Sequence, residues 1–337
     1  MLYSLKETIV WLKNICFSSS NEAVPILQEV FPLNYEESLM VKAAWYYYFE
    51  NMTQQAIADR LSISRMRVIK LLEAARQTGV IQFRLRSDGV GMAQQSHDLI
   101  KKYHLKDVFL IPETDEDDAH PNESIARAGA MYIADRLGDN ACINVGYGDT
   151  LSRTLNHLAT MVQNPVTCVS LTGGVSNYLP NTRSNVFNAR LYLMPAPLLA
   201  SSPEMASAMR SETSVSEVIR MAQFSSFTLV GIGAMHDSAT VIKSGTLTQT
   251  DMLYLKMNNA VGDVLCHFLD RDGQLIHTPI EDRLISTSLE QLKQMNNVIG
   301  LAAGASKVDA IRAVLRGGYL DILITDEPTA ALLLKDD

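Results

Sequence analysis

At 337 residues the chain is longer than one average domain, and 47% apolar with 20% charged residues supplies enough material for a large core. No uninterrupted apolar run is long enough to span a membrane, and four scattered cysteines (Cys16, Cys142, Cys168, Cys266) with no CxxC pair argue against zinc and disulfide frameworks. The net charge is −8, so any basic island must be local.

Residues 1–36 read as an N-terminal extension. Leu5, Ile9, Leu12 and Ile15 fall on one helical face, and an apolar stretch from Val24 to Phe31 stops at Pro32. An oligomerisation arm and a poorly ordered tail are equally compatible with this pattern. Lys6, Glu7, Lys13 and Asn14 break up the first apolar run, so no secretory leader is expected and the chain reads as cytoplasmic. Residues 37–50 carry Leu39, Ala43, Trp45, Tyr46 and Phe49 at helical spacing. They are expected to pack as core and interface behind the next motif.

Residues 53–79 read as a helix-turn-helix. Thr53 is a suitable N-cap, with Ala56, Ile57 and Leu61 following on one face. Ser62 and Ser64 interrupt the helix, and Ser64 can cap a second one with the apolar stripe Val68, Leu71, Leu72 and Ala75. Ala58 is small enough for the crossing, Ile63 closes the miniature core, and Gly79 ends the second helix. Arg65, Met66, Ile69 and Lys70 are left on the opposite face, where such a motif enters the major groove. From Arg60 to Arg86 there are seven basic residues and one acid, Glu73. A basic island on an acidic chain is the footprint of a double-stranded DNA contact. The expected DNA-binding residues are Thr53, Gln54, Ser64, Arg65, Met66, Arg67, Ile69 and Lys70, with Arg67 and Arg76 towards the phosphates.

Val80 to Arg86 alternates as a short strand would, and Ser87–Gly91 reads as a turn-rich boundary. Three segments are therefore expected: 1–36, a DNA-binding domain at 37–88, and a larger domain at 89–337. Beyond the boundary, helices (93–103, 123–137, 150–162, 306–316) alternate with short apolar strands (107–111, 141–145, 167–171, 227–232, 261–269, 298–303, 322–325). That grammar means βαβ units and a mostly parallel sheet, so the fold class is α/β. An acidic loop lies at 112–121, and Asp270–Gly273 marks an added hairpin.

Ligands of such sheets bind beyond the carboxyl ends of the strands. Four strand ends carry suitable residues. Val145-Gly-Tyr-Gly-Asp-Thr150 leads into a helix whose amides suit an anion, and Leu171-Thr-Gly-Gly-Val175 repeats the glycine pair. Asn259-Ala-Val-Gly-Asp263 offers a carboxylate for sugar hydroxyls, and Ala303-Gly-Ala-Ser-Lys307 offers an ammonium for a phosphate. Gly146-Tyr-Gly148 lacks the third glycine of a dinucleotide fingerprint, and no metalloprotease, P-loop or hydrolase motif occurs, so no cofactor, metal ligand or catalytic residue is assigned. His97, His104, His120 and His157 read as surface residues, while His236, His267 and His277 are candidates for positions near the site.

These residues resemble the SorC family of bacterial sugar-binding transcriptional regulators from about Met40 to Leu334. The likeness rests on the helix-turn-helix, Gly146-Tyr-Gly-Asp-Thr150, Leu171-Thr-Gly-Gly-Val175, Pro195-Ala-Pro-Leu198, Gly231-Ile-Gly-Ala234, Ala260-Val-Gly-Asp263, Lys307-Val-Asp-Ala-Ile311, Arg316–Asp326 and Thr329-Ala-Ala331. The resemblance implies an effector domain related to sugar-phosphate isomerases and deaminases but used for sensing. It implies a phosphorylated sugar or sugar-like effector, a homo-tetramer bridging operator half-sites, and most often a repressor. Carried over, the effector-binding residues are Gly146, Gly148, Thr150, Gly173, Gly174, Asp263 and Lys307. An alternative is a sugar-phosphate isomerase or deaminase with an accessory DNA-binding domain, with Asp263 and Lys307 as its acid and base. A purely structural DNA-binding protein would leave the glycine-rich strand ends unexplained.

Overall fold

The computed structural model describes residues 35–81, 87–113, 121–174, 189–236 and 239–335. They form two compact units, one on each side of residues 82–86. The expected N-terminal helix, most of the alternating Val80–Arg86 stretch and the core of the acidic loop lie outside the described residues.

Among the described residues the first unit has three helices: α1 (Tyr35–Tyr48), α2 (Gln54–Leu61) and α3 (Arg65–Gln77). The caps are those the sequence predicts. Thr53 Oγ1 accepts the Ala56 N–H and Ser64 Oγ accepts the Arg67 N–H, each at 3.2 Å. Between them Ser62 takes the left-handed conformation (φ 53°, ψ 43°) that turns the chain. Ile57, Ala58, Val68, Leu71, Leu72 and Ala75 are buried against Leu39, Met40, Ala43 and Ala44 of α1. Trp45 and Phe49 depart from the core reading. They are 49% and 70% exposed and stack on each other with ring centroids 4.5 Å apart. Residues 41, 45 and 49 recur every fourth position, which is the face turned away from Leu39, Met40 and Ala43.

The second unit opens on α4 (Ser87–Tyr103), so Ser87–Gly91 is helical rather than a turn-rich boundary. Ser and Asp are favoured in a first helical turn, and two glycines cost only about 1 kcal/mol each there. Seven parallel strands then form the sheet in the order β1-β9-β8-β5-β2-β3-β4. They are β1 (Asp107–Ile111), β2 (Cys142–Val145), β3 (Val166–Ser170), β4 (Ala189–Tyr192), β5 (Phe227–Ala234), β8 (Val298–Leu301) and β9 (Ile322–Asp326). A short antiparallel pair, β6 (Gly262–Val264) and β7 (His267–Leu269), hangs from β5.

Successive strand residues serve opposite faces. Ile322 and Ile324 pack with Ile125, Ile133, Leu151, Leu155 and Leu158 of α5 (Pro121–Ala134) and α6 (Asp149–Met161). Leu323, between them, packs with Ile311, Val314, Leu315 and Leu333 of α13 (Val308–Arg316) and α14 (Glu327–Leu334). Helices on both faces of a parallel sheet make the unit α/β, as predicted. The remaining helices, α7 to α12, are Pro203–Ser211, Thr213–Ala222, Thr240–Lys243, Gln249–Met257, Pro279–Arg283 and Leu289–Lys293.

The expected strand at 261–269 is instead a tight hairpin, because Leu265 (φ 54°) and Cys266 (φ 69°) both adopt positive φ. Such a turn usually carries Asn-Gly, so Leu-Cys conceals it. The turn expected at Asp270–Gly273 is present, with Gly273 at φ 76° and Leu269 bridged to Leu275. Among the described residues no helix is long and apolar enough to cross a membrane.

Candidate functional site

The carboxyl ends of β2, β5 and β8 open into one cavity of about 690 Å³. Its floor is the start of α6. Gly148 precedes the helix at φ 131°, ψ 161°, a conformation open essentially to glycine, and no side chain caps the helix. The first ladder bond, Ser152 N–H to Gly148 O at 3.0 Å, leaves the amides of the first turn without intrahelical acceptors. Gly148 and Thr150 line the cavity, and the helix dipole adds positive potential there.

Lys307 enters from the other side, at the end of a 3-10 turn (Ala305–Lys307) that follows Gly304 at φ 109°. It is half-buried and has no ion pair among the described residues. Burial pushes its pKa down, and Asp149 and Asp263 oppose that push. Asp263, on β6, completes the polar set. It is buried, and its Oδ2 accepts the Cys266 N–H at 3.1 Å and the Tyr147 O–H at 3.3 Å. Gly233 makes room for it, since a Cβ there would overlap Oδ1. Desolvation drives the Asp263 pKa up to about 6, against the Cys266 amide, Tyr147, His267 and Lys307. The Tyr147 phenol is pushed up by burial and by Asp263, so it remains a donor.

This carries a pH signature. The folded carboxyl keeps its proton up to about 6, against an ordinary value of 3.8. The folded state therefore binds more protons in that window, and Asp263 withdraws stability as pH rises from about 4 to about 6. Asp263→Asn is expected to gain stability over the parent across that window, on the order of 3 kcal/mol. Melting curves of both proteins from pH 4 to 7 check this; parallel curves would refute it.

A charged cluster forms the rim. Asp149 Oδ2 accepts from Arg153 Nε at 2.9 Å and from Asn122 Nδ2 at 3.1 Å. Arg153 Nη1 also reaches Glu123 Oε2 at 2.7 Å, and Glu123 Oε1 lies 2.6 Å from His157 Nε2. The Arg153 hydrogen bond holds the Glu123 carboxyl below its ordinary value, against partial burial. The far wall is Ile232, Ala234, His236, Thr240, Val241 and Lys243.

Of the expected effector residues, Gly148, Thr150, Asp263 and Lys307 come together. Gly146 lies behind the cavity, with its N–H on Leu229 O at 2.8 Å and its α-carbon packed against Leu265 and Leu151. Gly173 and Gly174 lie elsewhere. Their amides donate to Ile285 O (2.9 Å) and Ala196 O (2.8 Å), and a Cβ on Gly173 would overlap the Pro197 carbonyl. Gly173 is a close-approach glycine, Gly174 takes a positive φ of 88°, and both amides are already engaged by backbone carbonyls. His236 is at the wall; His267 is buried between Glu281 and the Thr287 carbonyl, and His277 is exposed. His157, expected at the surface, is half-buried against Glu123. Tyr147, Asp149, Arg153 and Lys243 also line the cavity and are not among the expected effector-binding residues, although Tyr147 and Asp149 lie within the Val145–Thr150 motif. The spacing of Asp149 and Arg153, four apart on one helix, is a signal for the pair. Among the described residues no group of His, Cys, Asp and Glu could hold a metal ion.

In the first unit, Arg65, Met66 and Lys70 are exposed on α3 and Ile69 is half-buried. Arg65 lines a shallow groove with Thr53, Gln54 and Asn51. Arg65 and Lys70 have no ion pair among the described residues, whereas Arg67 is paired with Glu36. Arg60 is held by Glu50 at 3.0 Å and lies 4.3 Å above the Tyr46 ring.

Comparison with known proteins places this architecture. The family model "Putative sugar-binding domain" matches residues 88–335. The transcriptional regulator LsrR of an Enterobacter species is 31% identical over 303 residues, 89% of this chain and 93% of its own length. The full-length sorbitol operon regulator SorC from Klebsiella pneumoniae, a crystal structure, has a TM-score of 0.61 at 25% identity and covers 88% of this chain and 99% of its own. The chain belongs to the SorC family of sugar-binding transcriptional regulators. LsrR of Klebsiella pneumoniae, at 32% identity over 303 residues and the same shares of each chain, agrees with that placement. A Streptococcus pneumoniae regulator with a TM-score of 0.65 and 24% identity, covering 74% of this chain and 98% of its own, shares the fold. As a SorC-family member the chain is a DNA-binding transcriptional regulator, and its cavity lies within the matched sugar-binding domain.

Proposed function

We propose that this regulator is a cytoplasmic repressor that releases its operator when a phosphorylated sugar or sugar-like effector enters the cavity. The observation that carries the reading is the convergence of three groups: the uncapped start of α6, the half-buried Lys307 and the buried Asp263. Helix amides and an ammonium suit a phosphoryl group, and a carboxylate beside a tyrosine O–H suits sugar hydroxyls. The effector is held and not converted. Residues 37–88 contact the operator through Thr53, Gln54, Ser64, Arg65, Met66, Arg67, Ile69 and Lys70. Residues 89–337 sense and assemble, as a tetramer that bridges half-sites, with residues 1–36 as an arm. An effector that favours one arrangement shifts the population towards it, and operator affinity changes by the coupling energy, typically about 1–3 kcal/mol.

A thermal-shift screen of the full chain against sugar phosphates, each beside its unphosphorylated parent, tests this. The expected result is stabilisation by a phosphorylated compound that also weakens operator binding. Stabilisation by the parent sugar alone would remove the anion site, and turnover of the hit would replace the sensor with an enzyme.

A further inference from the structure

The cavity that receives an anion already contains one. Asp149 is the first residue of α6, at the helix end where an incoming phosphoryl group finds its amides. Its carboxylate is held by Arg153 and Asn122, and Lys307 lines the same cavity. Arg153 itself lines the cavity and divides its guanidinium between Asp149 and Glu123. Resting on the phosphate reading above, we propose that Asp149 and Arg153 are the specificity-determining pair of the site. Asp149 is a resident anion that a phosphomonoester dianion displaces, and Arg153 then exchanges Asp149 for the arriving group while Glu123 keeps it in place.

Three features support the exchange. The Asp149–Arg153 pair is four residues apart on one helical face, so a side-chain rotation breaks it without moving the backbone. Glu123 provides a second anchor, so Arg153 stays at the rim when Asp149 leaves. Asp149 is exposed, so its carboxylate has water to turn into. A singly charged group or a neutral sugar gains less from Lys307, Arg153 and the helix end than a dianion does. It therefore fails to displace the resident carboxylate, and the pair acts as a filter for charge.

Inorganic phosphate probes the filter without knowledge of the sugar. Its stabilisation of the full chain is titrated by thermal shift at pH 7.5 and constant ionic strength, with ribose as the neutral control. Asp149→Asn removes the competitor and is expected to tighten apparent phosphate binding by about fivefold, in line with the worth of one charge at a helix N-terminus. Arg153→Gln is expected to weaken it at least tenfold, with Arg153→Lys in between. Response to ribose should be unchanged in all three. Unchanged or weaker phosphate binding in Asp149→Asn, or unchanged binding in Arg153→Gln, overturns the proposal while the cavity keeps its anion. If the parent protein itself shows no saturable phosphate response, the phosphate reading fails first and the filter with it.

Discussion

Lys307→Ala is expected to weaken binding of a phosphorylated ligand by about 10- to 100-fold, the worth of a charge-assisted hydrogen bond of about 1.5–3 kcal/mol. The side chain is already half-desolvated, so little further desolvation opposes a ligand contact. It has no ion pair among the described residues to surrender. Burial pushes its pKa down, and Asp149 and Asp263 oppose that push. Calorimetric titration of whichever sugar phosphate the screen returns reads the loss directly. Operator binding without ligand should stay at the parent level. If basal operator affinity and ligand affinity fall together, Lys307 is holding the fold instead.

The second large effect lies in the other unit. Arg65→Ala is expected to reduce discrimination between operator and scrambled duplex by about 10- to 100-fold, as one bidentate base contact of about 1–3 kcal/mol would. Arg65 opens α3, behind the Ser64 cap, and is exposed beside Thr53 and Gln54. Arg67 differs because Glu36 already holds its guanidinium, so its contribution is diminished by the exchange. Competition binding at fixed salt separates the alternatives. A uniform loss on both duplexes would assign Arg65 to a phosphate, and no change would take it out of the groove.

What was legible in the sequence follows from the range of the forces involved. The helix-turn-helix could be read almost residue by residue, because capping by Thr53 and Ser64 and the stripe from Val68 to Ala75 are local. The alternation of strands and helices was readable for the same reason. Trp45 and Phe49 depart from the core part of the expectation because helical spacing alone does not say which face is buried, and their phase points outward. The Leu265–Cys266 hairpin was invisible because neither residue advertises a positive φ. At the site, a glycine after a strand has one appearance and two causes. Gly148 needs its backbone conformation, whereas Gly173 needs the space taken by the Pro197 carbonyl. Only the three-dimensional neighbours separate these cases. The rim cluster was hidden because Glu123 and Arg153 belong to different helices that only packing joins.

The position of β9 has a consequence for biosynthesis. It lies between β1 and β8, and its register pairs Asp107 with Ile322 across most of the chain. Contacts of such separation form late, because the intervening loop entropy must be overcome before they contribute. A ribosome-bound chain therefore has all of α1, α2 and α3 long before Ile322–Asp326 exists to close the sheet. The first unit reaches its folded form while β1 and β8 of the second still lack β9 as a neighbour, and those open edges are the points at which newly made chains would pair with one another.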